Sequence, residues 1–170
     1  MRAQLRYDGH RVCVRSRTGR NCTEDFAELA AIADQLAGRR VILDGELTCL
    51  DADGKPDFAA LRTRLGRRPG RRSGRAGPVM LMIFDGLHLV GRALRQLPYA
   101  ARRELLAGLG LEGPAWRVPR HFVGQAEQLL AATAEQGLEG VVAKRLDAVY
   151  RGGARAPGSS TSTGAASAWR

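Results

Sequence analysis

The sequence predicts an α+β fold in which antiparallel β-sheets are flanked by helices. Hairpin signals alternate with segments of helical spacing, and no internal repeat is visible. This mixture favours antiparallel sheets over a regular array of parallel strands and helices. With 170 residues, 44% of them apolar, the chain is long enough for one compact core and too short for two.

The first predicted element is a β-hairpin. Asp8-Gly9 is a dipeptide favoured in tight turns, and it separates residues 3–7 from residues 10–17. Two valines alternate with other side chains after the turn, which is the period of a strand. We therefore expect two antiparallel strands at the start of the chain.

The remaining elements follow from apolar spacing and from turn residues. After the hairpin, Thr23 can cap a helix whose apolar positions keep helical spacing up to Gly38. Further predicted strands cover residues 41–50, 79–84 and 140–144, predicted helices cover residues 57–65, 98–108 and 127–136, and residues 116–123 are predicted to be extended.

Two segments are predicted to lack packed structure. Residues 66–78 place five arginines among glycines and prolines, so we predict a flexible basic loop. Residues 152–170 are rich in glycine, alanine, serine and threonine, and we predict a disordered, low-complexity tail. The folded domain is thus expected to span residues 1–151.

Charge and cysteine content narrow the class of function. The 27 basic and 17 acidic residues leave a formal charge of +10, which suits a polyanion such as nucleic acid; a merely solubilising basic surface is the alternative. Aromatic residues make up 5%, which favours contact with a duplex backbone over base stacking.

Three cysteines without C-x-x-C spacing argue against a disulfide scaffold and a cysteine-based zinc site. No segment resembles a signal peptide or membrane span, so we expect a cytoplasmic location and no membrane partner.

Five short motifs follow one another along the chain. Residues 6–11 read R-Y-D-G-H-R, residues 16–19 read S-R-T-G, residues 44–46 read D-G-E, residues 84–85 read F-D, and residues 139–144 read E-G-V-V-A-K. Each has an ordinary structural explanation by itself, as a turn, a solvated face or a core aromatic residue. Their common order makes coincidence a poor explanation.

In this order the motifs resemble those of the adenylation (nucleotidyltransferase) domain of ATP-dependent DNA ligases, bacterial type. The stretch L-P-Y-A-A-R-R-E-L-L also reads like these ligases, whereas guanylyltransferases and RNA ligases share mainly the early motifs. The resemblance implies an ATP-grasp-like adenylation fold, truncated and without an OB-fold domain. It further implies ATP and Mg²⁺ as cofactors, nicked duplex DNA and other DNA-repair proteins as partners, and nick sealing through an enzyme–AMP intermediate in repair or recombination.

The resemblance also implies roles for the later motif residues. In the family the two motif glutamates hold Mg²⁺ or a ribose hydroxyl, which assigns Glu46 and Glu139 to the metal and Glu46 to the nucleotide as well. The aromatic ring of the F-D motif stacks on the purine, which assigns Phe84 to the base. Lys144 is one of only two lysines in the chain, the other being Lys55, and we expect Lys144 to face the nucleotide phosphates.

The first motif departs from the family at its first residue. Arg6 stands where the family has the lysine that attacks the α-phosphate. Guanidinium groups stay protonated in proteins and make poor nucleophiles, so Arg6 is expected to bind phosphate without forming the covalent adenylate. Arg11 and Arg17 are expected to bind phosphates or DNA. Two hypotheses follow: a ligase-family enzyme module, or a catalytically degenerate remnant that binds nucleotide and DNA.

Overall fold

The computed structural model describes residues 1–65, 77–135 and 141–152, together with the backbone of residues 164–168. In these residues ten strands form two sheets. The strands are β1 (Arg2–Tyr7), β2 (Val12–Ser16), β3 (Val41–Cys49), β4 (Val79–Leu89), β5 (Arg92–Ala93), β6 (Glu112–Gly113), β7 (Trp116–Arg117), β8 (Phe122–Val123), β9 (Val141–Arg145) and β10 (Gly164–Ala168).

The helices of the described residues are short. None of them has the length and apolar character needed to cross a bilayer. They comprise a 3₁₀ helix (Glu24–Ala31) and the α-helices α1 (Ile32–Leu36), α2 (Phe58–Leu65), α3 (Tyr99–Ala107) and α4 (Ala126–Glu135).

The larger sheet has the strand order β2-β1-β3-β4-β7-β6, with β5 added beside β4. All neighbours are antiparallel except β4 and β7. The smaller sheet has the order β8-β10-β9 and is antiparallel throughout. The predicted α+β class with antiparallel sheets and flanking helices is confirmed.

Strand β1 shows how the core is separated from the polar side of the larger sheet. Ala3, Leu5 and Tyr7 are buried in the hydrophobic core. The alternate residues Gln4 and Arg6 point to the opposite face, because successive strand side chains point to opposite sides. We call this second side, with the directly paired residues of β3 and β4, the polar face.

The predicted first helix differs from the structure at its start. The Thr23 hydroxyl donates to Asn21 Oδ1 at 2.6 Å and accepts the Val14 N–H at 2.9 Å, and it makes no capping bond. Phe26 has φ of −134°, which interrupts the helical geometry. The hydroxyl therefore ties the segment to β2, and a 3₁₀ helix precedes α1.

The structure bears on one of the two segments predicted to lack packed structure. Residues 66–76 of the predicted basic loop lie outside the described residues. Residues 164–168, within the tail predicted to be disordered, form β10 between β8 and β9. Such pairing satisfies backbone groups that both neighbouring strands would otherwise expose. The prediction of disorder is therefore wrong for residues 164–168, because amino-acid composition carries no information about pairing between distant strands.

Candidate nucleotide-binding site

Two buried carboxylates lie side by side on the polar face. Asp44 of β3 is paired directly with Gln4 of β1 and with Asp85 of β4. Directly opposed residues of antiparallel strands point to the same side of a sheet. Asp44 and Asp85 are 0% and 1% exposed. Since two adjacent buried carboxylates repel one another, each needs a cationic partner.

Asp44 is held by Arg2 and Tyr150. The Arg2 Nε and Nη2 atoms donate to the two Asp44 oxygens at 3.2 and 2.7 Å. The Tyr150 hydroxyl donates to Asp44 Oδ2 at 3.0 Å and accepts from Arg2 Nη2 at 3.1 Å. The hydrogen bond to Asp44 raises the pKa of Arg2, and burial, reinforced by Asp44, raises the pKa of Tyr150. This trio joins β1, β3 and the chain after β9.

Asp85 is held in a similar way by Arg102 of α3. The Arg102 Nε and Nη2 atoms donate to Asp85 Oδ1 and Oδ2 at 2.8 and 2.9 Å. Its Nη1 atom donates to the carbonyl oxygens of Leu97 at 2.5 Å and Ala148 at 3.0 Å. Arg102 is only 2% exposed, so these bonds act in a region largely shielded from water.

Lys144 completes this part of the polar face. Its Nζ atom lies 3.7 Å from Asp85 Oδ2, 4.0 Å from the centre of the Phe84 ring and 4.7 Å from the centre of the Tyr99 ring. Burial, partly opposed by Asp85 and Asp44, lowers the pKa of Lys144 to about 8. The amine is thus a cation at neutral pH that can lose its proton under mildly alkaline conditions. We call Lys144, Phe84, Asp85, Tyr99 and Arg102 the lysine cluster.

Gly45 of the D-G-E motif permits the close approach of β3 and β4. The register shifts between Asp44 and Gly45, so that Gly45 pairs with Ile83 and Phe84 is left over in a bulge. A Cβ atom at Gly45 would lie 2.8 Å from both a Leu81 methyl carbon and the Met82 carbonyl oxygen. The motif glycine is therefore required for the strand pairing that places Phe84.

Glu46 lies on the polar face two residues beyond Asp44, as strand alternation predicts. Its side chain is 41% exposed, and its Oε1 atom is 2.5 Å from the Met1 amino nitrogen. Glu139, the other predicted metal ligand, lies outside the described residues. Within the described residues, no group of three His, Cys, Asp or Glu side chains could hold a metal ion.

The three predicted phosphate-binding arginines lie on the N-terminal hairpin. Arg6, Arg11 and Arg17 are all exposed. Arg6 lies one strand repeat beyond Gln4, and its Nη2 atom donates to Gln4 Oε1 at 3.1 Å. The structure therefore brings Phe84 and Lys144 together. Arg6, Arg11 and Arg17 are exposed side chains of the hairpin, and Arg6 itself lies on the polar face beside Gln4. We call these three residues the hairpin arginines.

Comparison with known proteins identifies the family of this arrangement. A family model described as ATP dependent DNA ligase domain matches residues 1–159. The chain belongs to the ATP-dependent DNA ligase family. The resemblance that the sequence motifs carry is thereby confirmed.

Two relatives show how much of a ligase this chain represents. It is 37% identical over 159 residues to the multifunctional non-homologous end joining protein LigD of Mycobacterium bovis, covering 88% of this chain and 20% of LigD. It is 41% identical over 163 residues to a probable DNA ligase of Streptomyces coelicolor, covering 91% of this chain and 31% of the relative. The chain thus spans a fifth to a third of these relatives.

Two solved ligase structures support the fold assignment. The ligase domain of M. tuberculosis LigD superposes with a TM-score of 0.76 at 37% identity, over 91% of this chain and 48% of that domain. A mycobacterial DNA ligase D complexed with ATP and MES superposes with the same TM-score at 36% identity, over the same shares of both chains. The ligase adenylation fold expected from the motifs is confirmed.

Several residues of this ligase polar face could not be found from the sequence motifs. Arg2 and Tyr150 lie outside the five motifs, which span residues 6–144. Arg102 lies in the L-P-Y-A-A-R-R stretch, which contributes to the family resemblance without pointing to a contact. Alternation along β1 is the one available signal for Arg2, because it places Arg2 on the same side as Gln4.

Proposed function

We propose that this chain is a nucleotide- and DNA-binding part of an ATP-dependent DNA ligase, and that the lysine cluster forms its ATP site. The observation that carries this proposal is the position of the Lys144 amine, 4.0 Å above the Phe84 ring and 3.7 Å from Asp85. An aromatic face next to a partly buried cation offers one surface for a purine and one for a phosphate.

ATP binding would change the surroundings of Lys144. A phosphate oxyanion attracts the ammonium form more strongly than an aromatic ring does, so the Lys144 amine would turn towards the phosphates. Phe84 would then present its ring to the base. We expect ATP to raise the pKa of Lys144 above its value of about 8 in the free protein.

We assign Mg²⁺ to Glu46 and Glu139. Mg²⁺ typically binds proteins through one or two carboxylates, and substrate phosphates and water complete its coordination. The Glu46 carboxylate fits this requirement, because its side chain is 41% exposed on the polar face. When bound, the ion would supply positive charge that offsets the phosphate oxygens.

Nicked duplex DNA is the proposed partner of the hairpin arginines. Arg6, Arg11 and Arg17 are exposed, and the whole chain carries a formal charge of +10. Exposed arginines bind phosphate oxygens without reading sequence, which suits an enzyme family that seals backbone breaks. A role in DNA repair or recombination, alongside other repair proteins in the cytoplasm, is part of this proposal.

For the covalent step we propose that this chain binds ATP without becoming adenylated. The position of the family's lysine is occupied by Arg6, and a guanidinium offers no nucleophilic amine. Lys144 is the second candidate, because its pKa of about 8 makes the neutral amine accessible. In that case the amine would form a phosphorus–nitrogen bond with the α-phosphate, release pyrophosphate and lose a proton to solvent.

The test measures ATP binding and covalent labelling on the same proteins. We expect calorimetry with Mg²⁺–ATP to show binding by the natural chain and at least about tenfold weaker binding by Lys144→Met, since one phosphate contact to a charged group contributes about 1.5 to 3 kcal/mol. Lys55→Met is the matched control, because Lys55 is the other lysine and is exposed in a turn. Equal ATP affinity of all three proteins would contradict the proposed site.

ATP labelled at the α-phosphate distinguishes the two chemical candidates. Non-covalent binding predicts no label that survives denaturation of the natural chain. Label that survives, and is lost in Lys144→Met but kept in Lys55→Met, would instead establish Lys144 as the nucleophile. Label that maps to Lys55 would contradict both assignments.

A further inference from the structure

Arg102 makes two kinds of contact that converge on Lys144. Through Nε and Nη2 it holds both oxygens of Asp85, the carboxylate nearest the Lys144 amine. Through Nη1 it holds the Ala148 carbonyl oxygen, four residues after Lys144. One buried guanidinium thus contacts both the counter-ion of Lys144 and the chain that carries Lys144.

The chain after β9 has further attachments to the same region. The Ala100 N–H donates to the Leu146 carbonyl oxygen at 2.9 Å, and the Tyr150 N–H donates to the Arg95 carbonyl oxygen at 2.8 Å. Lys144 belongs to the smaller sheet, whereas Phe84 and Asp85 belong to the larger one. The position of the amine above Phe84 therefore depends on how the chain after β9 is held against α3.

Arg102 and Lys144 compete electrostatically for the carboxylate of Asp85. A carboxylate that already accepts two charge-assisted hydrogen bonds from Arg102 has less negative potential to offer a second cation. Lys144 is 3.7 Å from Asp85, beyond a strong hydrogen bond, while Arg102 is within 2.9 Å of both oxygens. Asp85 is thus bound mainly by Arg102, and the Lys144 amine lies over the Phe84 ring.

We propose that Arg102 is a positioning residue for Lys144: by holding Asp85 and Ala148 together, it keeps the Lys144 amine over Phe84 and available to a nucleotide phosphate. The phosphate-binding part of this statement rests on the proposed function. The geometric part concerns the protein without nucleotide. The two parts can therefore be tested separately.

The experiment measures the pKa of Lys144 directly. Reductive methylation with ¹³C-formaldehyde labels the amines of Lys55, Lys144 and Met1, and a Lys55→Arg variant assigns the lysine signals in NMR spectra. In Arg102→Met, Asp85 keeps Lys144 as its nearby cation, so the pKa of Lys144 is expected to rise from about 8 by about 1 to 3 pH units. The Lys55 signal serves as the internal control.

A double variant separates this effect from loosening of the fold. In Arg102→Met/Asp85→Asn the counter-ion is also removed, so the pKa of Lys144 should return to about 8 or fall below it. If Arg102→Met only exposed Lys144 to water, the double variant would keep the raised pKa. That result would overturn the proposal, and so would an unchanged pKa in Arg102→Met.

If Arg102→Met folds poorly, Arg102→Lys takes its place, and two control variants accompany it. Arg103→Met removes the neighbouring buried arginine of α3, which donates to the carbonyl oxygens of Ile83 and Pro119 rather than to Asp85. Tyr150→Phe removes a hydroxyl that holds the same chain on Asp44. Both should change the pKa of Lys144 by less than Arg102→Lys does, because Arg102→Lys loses the bidentate hydrogen bonds to Asp85. A larger change in either would contradict the specific role of Arg102.

ATP titration of the same variants separates this proposal from the proposed function. Weaker ATP binding in Arg102→Met, together with the raised pKa, would support both. A raised pKa in a chain whose natural form fails to bind ATP would retain the positioning role and remove the nucleotide site. Unchanged ATP affinity in Arg102→Met with the pKa shifted would overturn the claim that this position serves the phosphate.

Discussion

The lysine cluster and the hairpin arginines carry the same sign of charge in opposite environments. In the lysine cluster, Arg102 and Lys144 share the buried carboxylate of Asp85 beneath aromatic rings. On the hairpin, the exposed side chains of Arg6, Arg11 and Arg17 lie on β1, just before β2 and in the turn after β2. Burial fixes the position of the first set and lowers the pKa of Lys144, whereas the second set is free to adapt to a polyanion.

The largest expected difference between the two regions is in stability. Asp85→Asn removes the carboxylate shared by the buried Arg102 and the partly buried Lys144, and it should lower the free energy of unfolding by about 3 to 5 kcal/mol. Asp8→Asn, in the exposed hairpin turn, should cause a much smaller loss, although Asp8 accepts the N–H groups of His10 and Arg11. Urea unfolding of both variants measures the difference. Equal losses would remove the distinction between the two regions.

The pH dependence of stability sharpens the same comparison. The pKa of Lys144 is about 8 in the folded protein against 10.5 ordinarily, so the unfolded chain binds more protons between these values. Stability from this group therefore rises as pH increases from about 8 to 10.5, by at most about 3 kcal/mol. The difference in unfolding free energy between the natural chain and Lys144→Met, followed across pH, isolates this contribution. A difference independent of pH would contradict the lowered pKa.

DNA binding should depend on the hairpin and hardly on the lysine cluster. Replacing Arg6, Arg11 and Arg17 together by glutamine should weaken binding to a nicked duplex and lower the salt slope by about one for each phosphate that is no longer neutralised. ATP affinity should stay within about twofold, because these side chains lie outside the lysine cluster. Fluorescence anisotropy at several salt concentrations provides the measurement. An unchanged slope would show that DNA uses another surface.

The smallest expected effect concerns the position of the family's nucleophile. Arg6→Lys supplies an amine at the first residue of the R-Y-D-G-H-R motif, yet that residue is exposed and bonded to Gln4. We expect no covalent label from ATP labelled at the α-phosphate, and an ATP affinity equal to that of the natural chain. If Arg6→Lys gained label, ATP would bind next to the hairpin, and the assignment of the ATP site to the lysine cluster alone would be wrong.

Local sequence signals predicted most of the elements and part of the site. The turn at Asp8-Gly9, the strand periodicity around D-G-E and the apolar run that ends at Phe84 all act between near neighbours. They predicted the hairpin, two central strands and the shared side of Asp44 and Glu46. Thr23 was the local signal that misled, because its hydroxyl bonds Asn21 and Val14 instead of capping the helix.

The sequence by itself determined the family, the α+β class and the residues that could carry ligase chemistry. Only the tertiary structure decided which of them meet. Arg2 is 42 residues from Asp44 in the sequence, and Tyr150 is 106 residues from it. These contacts depend on the strand register and on the path of the chain back to the larger sheet. Short motifs encode neither. The pKa of Lys144 also arises from long-range packing, because burial against Phe84 and Tyr99 and the distance to Asp85 exist only once the two sheets are assembled.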